Sequence, residues 1–286
     1  MEQLTGRVAV VTGAGSGMGE AFAKAFAAEG MKVVAADIQR DALDATVADI
    51  TALGQEAVGV PTDVSSLPAV QHLAAAAVET YGGVHLLCNN AGVEGYLDGP
   101  IWEATDKDWA WTVDVNFWSV VHGIRTFVPL MIESGQPGHV VNTCSMTAVI
   151  AATNMYGITK HAVLALSEVL RNDLREQELP IGVTALCPGT IATNLFHGSR
   201  NRPAELQNEV ETSGAVRGRE LREEMHAVLS AGMPPSEVAA KLVAAVRADA
   251  PYLLTDHEWD EQIIERHRNL LAGAVGPLAG ATGGAG

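Results

Sequence analysis

The chain has 286 residues, 48% of them hydrophobic and 18% charged, enough apolar material for a sizeable core and the wrong composition for a disordered chain. A Lys+Arg count of 18 against an Asp+Glu count of 34 leaves a formal charge of -16, which repels phosphate backbones and anionic lipid, so no nucleic acid and no membrane partner is expected. The first residues lack a basic region followed by an apolar run, and no apolar stretch reaches bilayer length, so the expected location is cytoplasmic.

Short β-branched runs alternate with longer amphipathic stretches from the start of the chain. Residues 7–12 read as a strand and residues 17–29 as an Ala-rich helix, and between them Thr12 to Gly19 spells TGAGSGMG. A Gly-rich turn in that place can aim backbone N–H groups and a helix N-terminus at a pyrophosphate. Gly13, Ser16, Gly17, Met18 and Gly19 are therefore candidate phosphate contacts, although a tight turn without a ligand would use the same glycines. Residues 32–37 form the next strand and end on Asp37. A carboxylate there accepts hydrogen bonds from an adenosine ribose and repels a 2′-phosphate, and the residue after it, Ile38, brings no positive charge. Asp37 equally suits the start of a helix over residues 39–50.

Strand patterns recur at residues 57–60, 84–89, 139–144 and 181–187, each followed by a helical or loop stretch. The expected fold class is α/β: a Rossmann-type, doubly wound parallel sheet with helices on both faces, as a single domain over residues 1–271. The rhythm breaks where a charged, helix-prone stretch replaces a short connection. Residues 191–234 read as a helical substrate-lid insertion over the carboxyl edge of the sheet, with residues 203–232 expected to be mobile and to order over bound substrate. Residues 272–286, almost entirely Gly, Ala, Val, Leu, Pro and Thr, read as a flexible tail. Cys88, Cys144 and Cys187 each end an apolar run and are expected to be buried, reduced thiols. No paired His spacing and no GxSxG elbow is present, so no metal is expected and hydrolysis drops out.

With TGAGSGMG near the start, the later motifs NNAG at residues 89–92, Tyr156-Gly-Ile-Thr-Lys160, and CPGT at residues 187–190 make residues 4–255 resemble the short-chain dehydrogenase/reductase family. Four independent motifs in order make the likeness specific. The resemblance implies that Asp63 and Val64 lie at the adenine, that Asn89, Asn90, Ala91 and Gly92 line the cofactor cleft, and that Pro188, Gly189 and Ile191 flank the nicotinamide. Thr193 would reach its carboxamide or a diphosphate oxygen. It implies further that Tyr156 is the general acid/base and that Lys160 activates it and holds the nicotinamide ribose. Ser145 would donate to the substrate oxygen, and Asn116 would position a water in a proton relay to Lys160. Ser145 stands eleven residues before Tyr156, whereas related chains more often show about thirteen, which falls on Thr143. Matching the whole strand favours Ser145, and Thr143 stays open as the alternative.

Four residues apart on one helix, Tyr156 and Lys160 project from the same face. A phenol works as a base near neutrality only when its pKa falls by about 3 units, or about 4 kcal/mol. An ammonium about 5 Å away supplies about 3 kcal/mol at an effective dielectric constant of about 20. The reading is an oxidoreductase that moves a hydride between NAD, preferred over NADP because of Asp37, and a secondary alcohol or ketone. An NADPH-dependent ketoreductase and a catalytically silent NAD-binding protein are the alternatives. A bulky, partly apolar substrate would meet Met146, Val149, Met155, Ile191, Leu195 and Phe196. The resemblance also implies a homo-oligomer, a dimer or tetramer packed through helices at residues 106–133 and 156–178.

Overall fold

Alternation along each strand sends successive side chains to opposite faces, and here both faces are apolar. In the computed structural model, which describes residues 1–209 and 214–273, these runs become a seven-stranded, all-parallel sheet in the order β3-β2-β1-β4-β5-β6-β7. The strands are β1 Val8–Thr12, β2 Lys32–Asp37, β3 Ala57–Pro61, β4 Leu86–Asn89, β5 Gly138–Thr143, β6 Ile181–Cys187 and β7 Tyr252–Leu254. The helices are α1 Gly17–Ala28, α2 Arg40–Ala52, α3 Leu67–Tyr81, α4 Asp106–Val113, α5 Ser119–Ser134, α6 Met155–Glu176, α7 Ala215–Ser230, α8 Pro235–Ala248 and α9 Asp260–Leu271. The tail expected over residues 272–286 lies, from residue 274 on, outside the described residues.

Ala9, Val11, Val33 and Ala35 pack with Phe22 and Phe26 of α1 and Leu242 of α8 on one face. Val8, Val10, Val34 and Ala36 meet Leu73 of α3, Phe127 of α5 and Leu174 of α6 on the other. This is the expected doubly wound α/β class. The strand order reverses between β1 and β4, and in open sheets of this kind a crevice opens outside the carboxyl ends of the strands at that point. The elements after β1, β2, β4, β5 and β6 all empty into it.

Two features depart from the reading of the sequence. The helix expected over residues 106–133 is broken between α4 and α5 by one π turn, Asp114–Trp118. The sheet gains β7, three residues that pair with β6, and α9 follows it. The excursion between β6 and α8 is folded against the body as a 3₁₀ stretch, Leu195–Asn201, a single turn, Ala204–Leu206, and α7. Residues 210–213 within it lie outside the described residues. Cys88, Cys144 and Cys187 are buried and free of disulfides, as expected.

Candidate active site

At the first turn of the crevice Gly13 holds a φ of +67°, a left-handed conformation that glycine adopts without strain. A Cβ on Gly19 would run into the Gly13 carbonyl oxygen, so the turn closes tightly under α1. Ser16 starts α1 without capping it through its side chain, which leaves the first N–H groups of the helix unclaimed by any cap and open to an anion. These residues fit a diphosphate.

Asp37 ends β2 at the same edge. Its Oδ2 accepts from the Gly15 N–H at 2.9 Å and its Oδ1 from the Gln39 N–H at 2.8 Å, so the carboxylate is fixed by two backbone donors and keeps lone pairs for a ribose. Asp63 follows β3, and its Oδ1 accepts from the Ser65 N–H at 3.0 Å and from the Ser65 hydroxyl at 2.6 Å, a turn-making arrangement that leaves Oδ2 free of both. Thr12, which motif reading passed over, is a hub. Its hydroxyl accepts from the N–H groups of Asn90 (2.9 Å) and Ala91 (3.1 Å) and donates to the Cys88 carbonyl at 3.2 Å, clamping the NNAG turn onto the Gly-rich turn.

A cavity of about 210 Å³ runs along this crevice. Gly13, Ser16, Gly17, Met18, Asp37, Ile38, Asp63, Val64, Asn90, Ala91, Gly92, Tyr156, Lys160 and Thr193 line it, together with the unforeseen Gln39, Trp111, Asp114, Val115, Arg200 and Asn201. Thr143 and Leu195 line it as well, and the other candidates sit behind or beside it. Gly19 is buried under the first turn, and the Pro188 carbonyl accepts from the Met146 N–H at 2.9 Å. The Gly189 N–H donates to Thr255 Oγ1 at 2.9 Å. Ile191 packs into the core beside Val238 and forms a bridge to Met233.

At the far end stands α6, whose N-terminus is capped by Asn154 accepting from the Gly157 N–H at 2.9 Å. This cap sets the first turn, from which Tyr156 and Lys160 both face the cavity. Lys160 Nζ lies 5.4 Å from the Tyr156 ring centroid and donates to the Thr143 carbonyl at 2.8 Å. Burial lowers its pKa to about 8. The same burial pushes the Tyr156 phenol above its ordinary value, and only a hydrogen bond with the Ser145 hydroxyl works in the opposite direction. Desolvation disfavours the charged forms of both residues, so the phenol needs positive charge beside it to ionise, from Lys160 and from an oxidised nicotinamide. Ser145 Oγ also accepts from the Thr147 N–H at 3.1 Å. Thr143 also lines the cavity, with its hydroxyl donating to Asn90 Oδ1 at 3.2 Å.

Asn116 is fully buried in the π turn. Its Oδ1 accepts from the Val93 N–H at 2.8 Å, and its Nδ2 donates to the Val93 carbonyl at 2.9 Å and to Thr159 Oγ1 at 3.2 Å. The amide thus ties the loop after β4 to α6. A Cβ on Gly92 would sit 3.3 Å from Asn116 Oδ1 and 3.5 Å from Lys160 Nζ, so the glycine keeps a gap between them.

The family model for short chain dehydrogenases matches residues 7–204. Over 192 residues the chain is 41% identical to the 1-deoxy-11-beta-hydroxypentalenate dehydrogenase of Streptomyces avermitilis, a match covering 66% of this chain and 70% of that protein. It is 33% identical over 281 residues to a C alpha-dehydrogenase of a Sphingobium species, covering 97% of this chain and 89% of that one. Among solved structures, a short-chain dehydrogenase/reductase from Burkholderia phymatum in complex with NAD superposes with a TM-score of 0.92 at 38% identity, covering 98% of this chain and all of the other.

Proposed function

Because this chain belongs to the short-chain dehydrogenase/reductase family, we propose that it is an NAD-dependent dehydrogenase interconverting a secondary alcohol and its ketone, with Tyr156 as the proton carrier. The chain is an oxidoreductase acting on CH–OH groups. The observation that carries the finer reading is one cavity with Asp37 at one end and the Tyr156–Lys160 pair at the other. Bound NAD supplies the hydride acceptor, and its reduced form the donor.

The chain's own residues do the rest. Tyr156 takes the hydroxyl proton of an alcohol, or returns one to a ketone oxygen. Ser145, hydrogen-bonded to that phenol, donates to the substrate oxygen as negative charge develops there. Lys160 favours the phenolate electrostatically and would hold the nicotinamide ribose. The buried Asn116 acts as a brace for the Val93 loop, a role that its three protein hydrogen bonds support better than a water relay. Asp37 accepts from the adenosine ribose, and its charge opposes a 2′-phosphate. Ser145 is preferred to Thr143 because Thr143 spends its hydroxyl on Asn90. Exposed apolar residues on α6, Ile158 and Val169, and Trp118 at the start of α5, support the homo-oligomer that the family resemblance implies.

A panel of secondary alcohols and ketones assayed with NAD(H) and NADP(H), following reduced nicotinamide, tests the proposal. Turnover with NAD(H) on at least one substrate class is expected. Equal efficiency with both cofactors would remove the role given to Asp37, and NADH binding without turnover on any substrate would favour a silent cofactor-binding protein.

A further inference from the structure

The excursion between β6 and α8 meets the body of the protein at the adenosine end of the crevice. Its 3₁₀ stretch, Leu195–Asn201, shares a cavity wall with Asp37, Ile38 and Asp63. Either orientation of the Gln39 amide ties it to this strap: in one its Nε2 donates to Asn201 Oδ1 at 2.8 Å, and in the other its oxygen accepts from Arg200 Nε at 2.8 Å, Arg200 Nη2 at 3.0 Å and Asn201 Nδ2 at 2.9 Å. The backbone N–H of the same Gln39 donates to Asp37 Oδ1. One residue therefore joins the carboxylate read as the ribose acceptor to the strap.

Both ends of the strap are held. Thr193, just upstream, lines the cavity beside Gly17. Just downstream, Arg202 Nη1 lies 2.7 Å from Asp108 Oδ1 on α4, with both side chains largely buried and the guanidinium 5.3 Å above the Trp111 ring. Between these anchors the strap crosses the cavity. Its opposite side meets the loop after β4, where the Ser199 N–H donates to Glu94 Oε1 at 3.3 Å, and the lid helix, where the His197 ring lies 4.0 Å from that of His226 on α7, tilted by 32°. The strap thus touches adenosine-side residues with one side and α7 with the other.

We propose that Leu195–Asn201 is a cofactor clasp: Arg200 and Asn201, through Gln39, close over the adenosine half of the dinucleotide, so that the end of the cofactor away from the reacting ring fastens the strap. The proposal rests on the reading of the crevice as a nicotinamide dinucleotide site and replaces the expectation that substrate orders the lid. Its ligand chemistry is an adenosine diphosphate ribose unit, the part of the cofactor that lies away from the reacting ring.

Calorimetry with the full chain and two fragments of the cofactor, ADP-ribose and nicotinamide mononucleotide, tests the clasp, with hydrogen exchange over residues 195–206 as a second readout. ADP-ribose alone should raise protection of those residues. Arg200→Ala and Gln39→Ala should each weaken ADP-ribose roughly tenfold, the double variant should be no weaker than the worse single because one contact is shared, and affinity for nicotinamide mononucleotide should stay within about twofold. Unchanged ADP-ribose affinity in both variants, with wild type binding NADH, would overturn the clasp and leave the cofactor reading intact. Protection by nicotinamide mononucleotide but not by ADP-ribose would also overturn it. A wild-type chain that binds neither ADP-ribose nor NADH would overturn the clasp and the cofactor reading together.

Discussion

Tyr156 sits where burial opposes the charge that its proposed role needs. The phenolate is scarce in the cofactor-free protein at neutral pH, and alcohol oxidation should rise with pH from there. Tyr156→Phe is expected to remove nearly all turnover while NADH affinity, measured by fluorescence titration, stays within about twofold. Ser145→Ala should cost on the order of 10² in kcat and Thr143→Ala far less; the reverse order would transfer the oxyanion role to Thr143. Lys160 carries a separate consequence for stability. Its pKa in the folded protein is about 8, against 10.5 for an ordinary lysine, so at pH 7 the buried ammonium destabilises the fold by about 3 kcal/mol, and this penalty is relieved as pH rises from 8 to 10.5. Loss of the hydrogen bond to the Thr143 carbonyl returns about 1 kcal/mol of that. Lys160→Met should therefore melt at a higher temperature than wild type at pH 7 even though activity is lost, with the gap narrowing toward pH 10.5. A gap that is constant with pH would mean that the lysine is not desolvated as described.

At the level of elements, what the sequence reveals depends on how locally each feature is encoded. Strands β1 to β6 are legible because each is an apolar run bounded by turns, and the Gly-rich turn and Asp37 are legible because their spacing along the chain is their function. Strand β7 escapes because it is three residues long, follows Pro251 and lies at the sheet edge, partly exposed. The π turn escapes because one added residue per turn leaves no mark on hydrophobic periodicity, yet it is the element that carries Asn116 to Val93. Gln39 and Arg200 escape for a different reason. They are 161 positions apart, and their meeting is set by how the excursion packs. A largely buried tie in that packing is Arg202 to Asp108, whose carboxyl also closes the capping box at the start of α4 with Thr105. Burial pushes Asp108 up, but the Thr105 donors and Arg202 outweigh it and hold the carboxyl below its usual range, so the tie is present at neutral pH and persists well into acid. Arg202→Ala should release residues 195–209 from α4 and raise limited proteolysis there by about tenfold, with exchange of the β1 and β4 amides unchanged. Equal cleavage of wild type and variant would show that the other contacts of the segment, with Gln39, Thr105 and α7, hold it down without Arg202.

Across the whole molecule, two electrostatic effects compete as pH falls. The formal charge of -16 shrinks as carboxylates protonate, which relieves self-repulsion and by itself favours the compact state. His139 works against that relief. Fully buried in β5, it stands at the start of a short polar chain that crosses the sheet: its Nε2 lies 2.8 Å from Thr184 Oγ1 on β6, and the Thr184 hydroxyl donates to the Ala250 carbonyl at 2.6 Å just before β7. Because Thr184 spends its proton on Ala250, it can only accept from His139, which fixes the proton on Nε2 and leaves Nδ1 bare and buried without a hydrogen-bond partner. Charging the ring would place a second proton on Nδ1, 3.7 Å from Asp249 Oδ1, but burial outweighs that attraction and lowers the His139 pKa to about 3. With the folded value below the unfolded one of 6.5, the stability tied to the neutral ring is complete above pH 6.5 and is lost as pH falls from there toward 3. Between pH 7 and about pH 4.5 the wild-type chain should lose about 3 kcal/mol relative to His139→Gln, a variant that keeps an amide donor for Thr184 and cannot take up a proton. Urea unfolding of both proteins at the two pH values measures the difference, and charge relief, common to both, cancels from it. Parallel losses would show that His139 is hydrated or rearranged on acidification and that carboxylates elsewhere govern the acid limb.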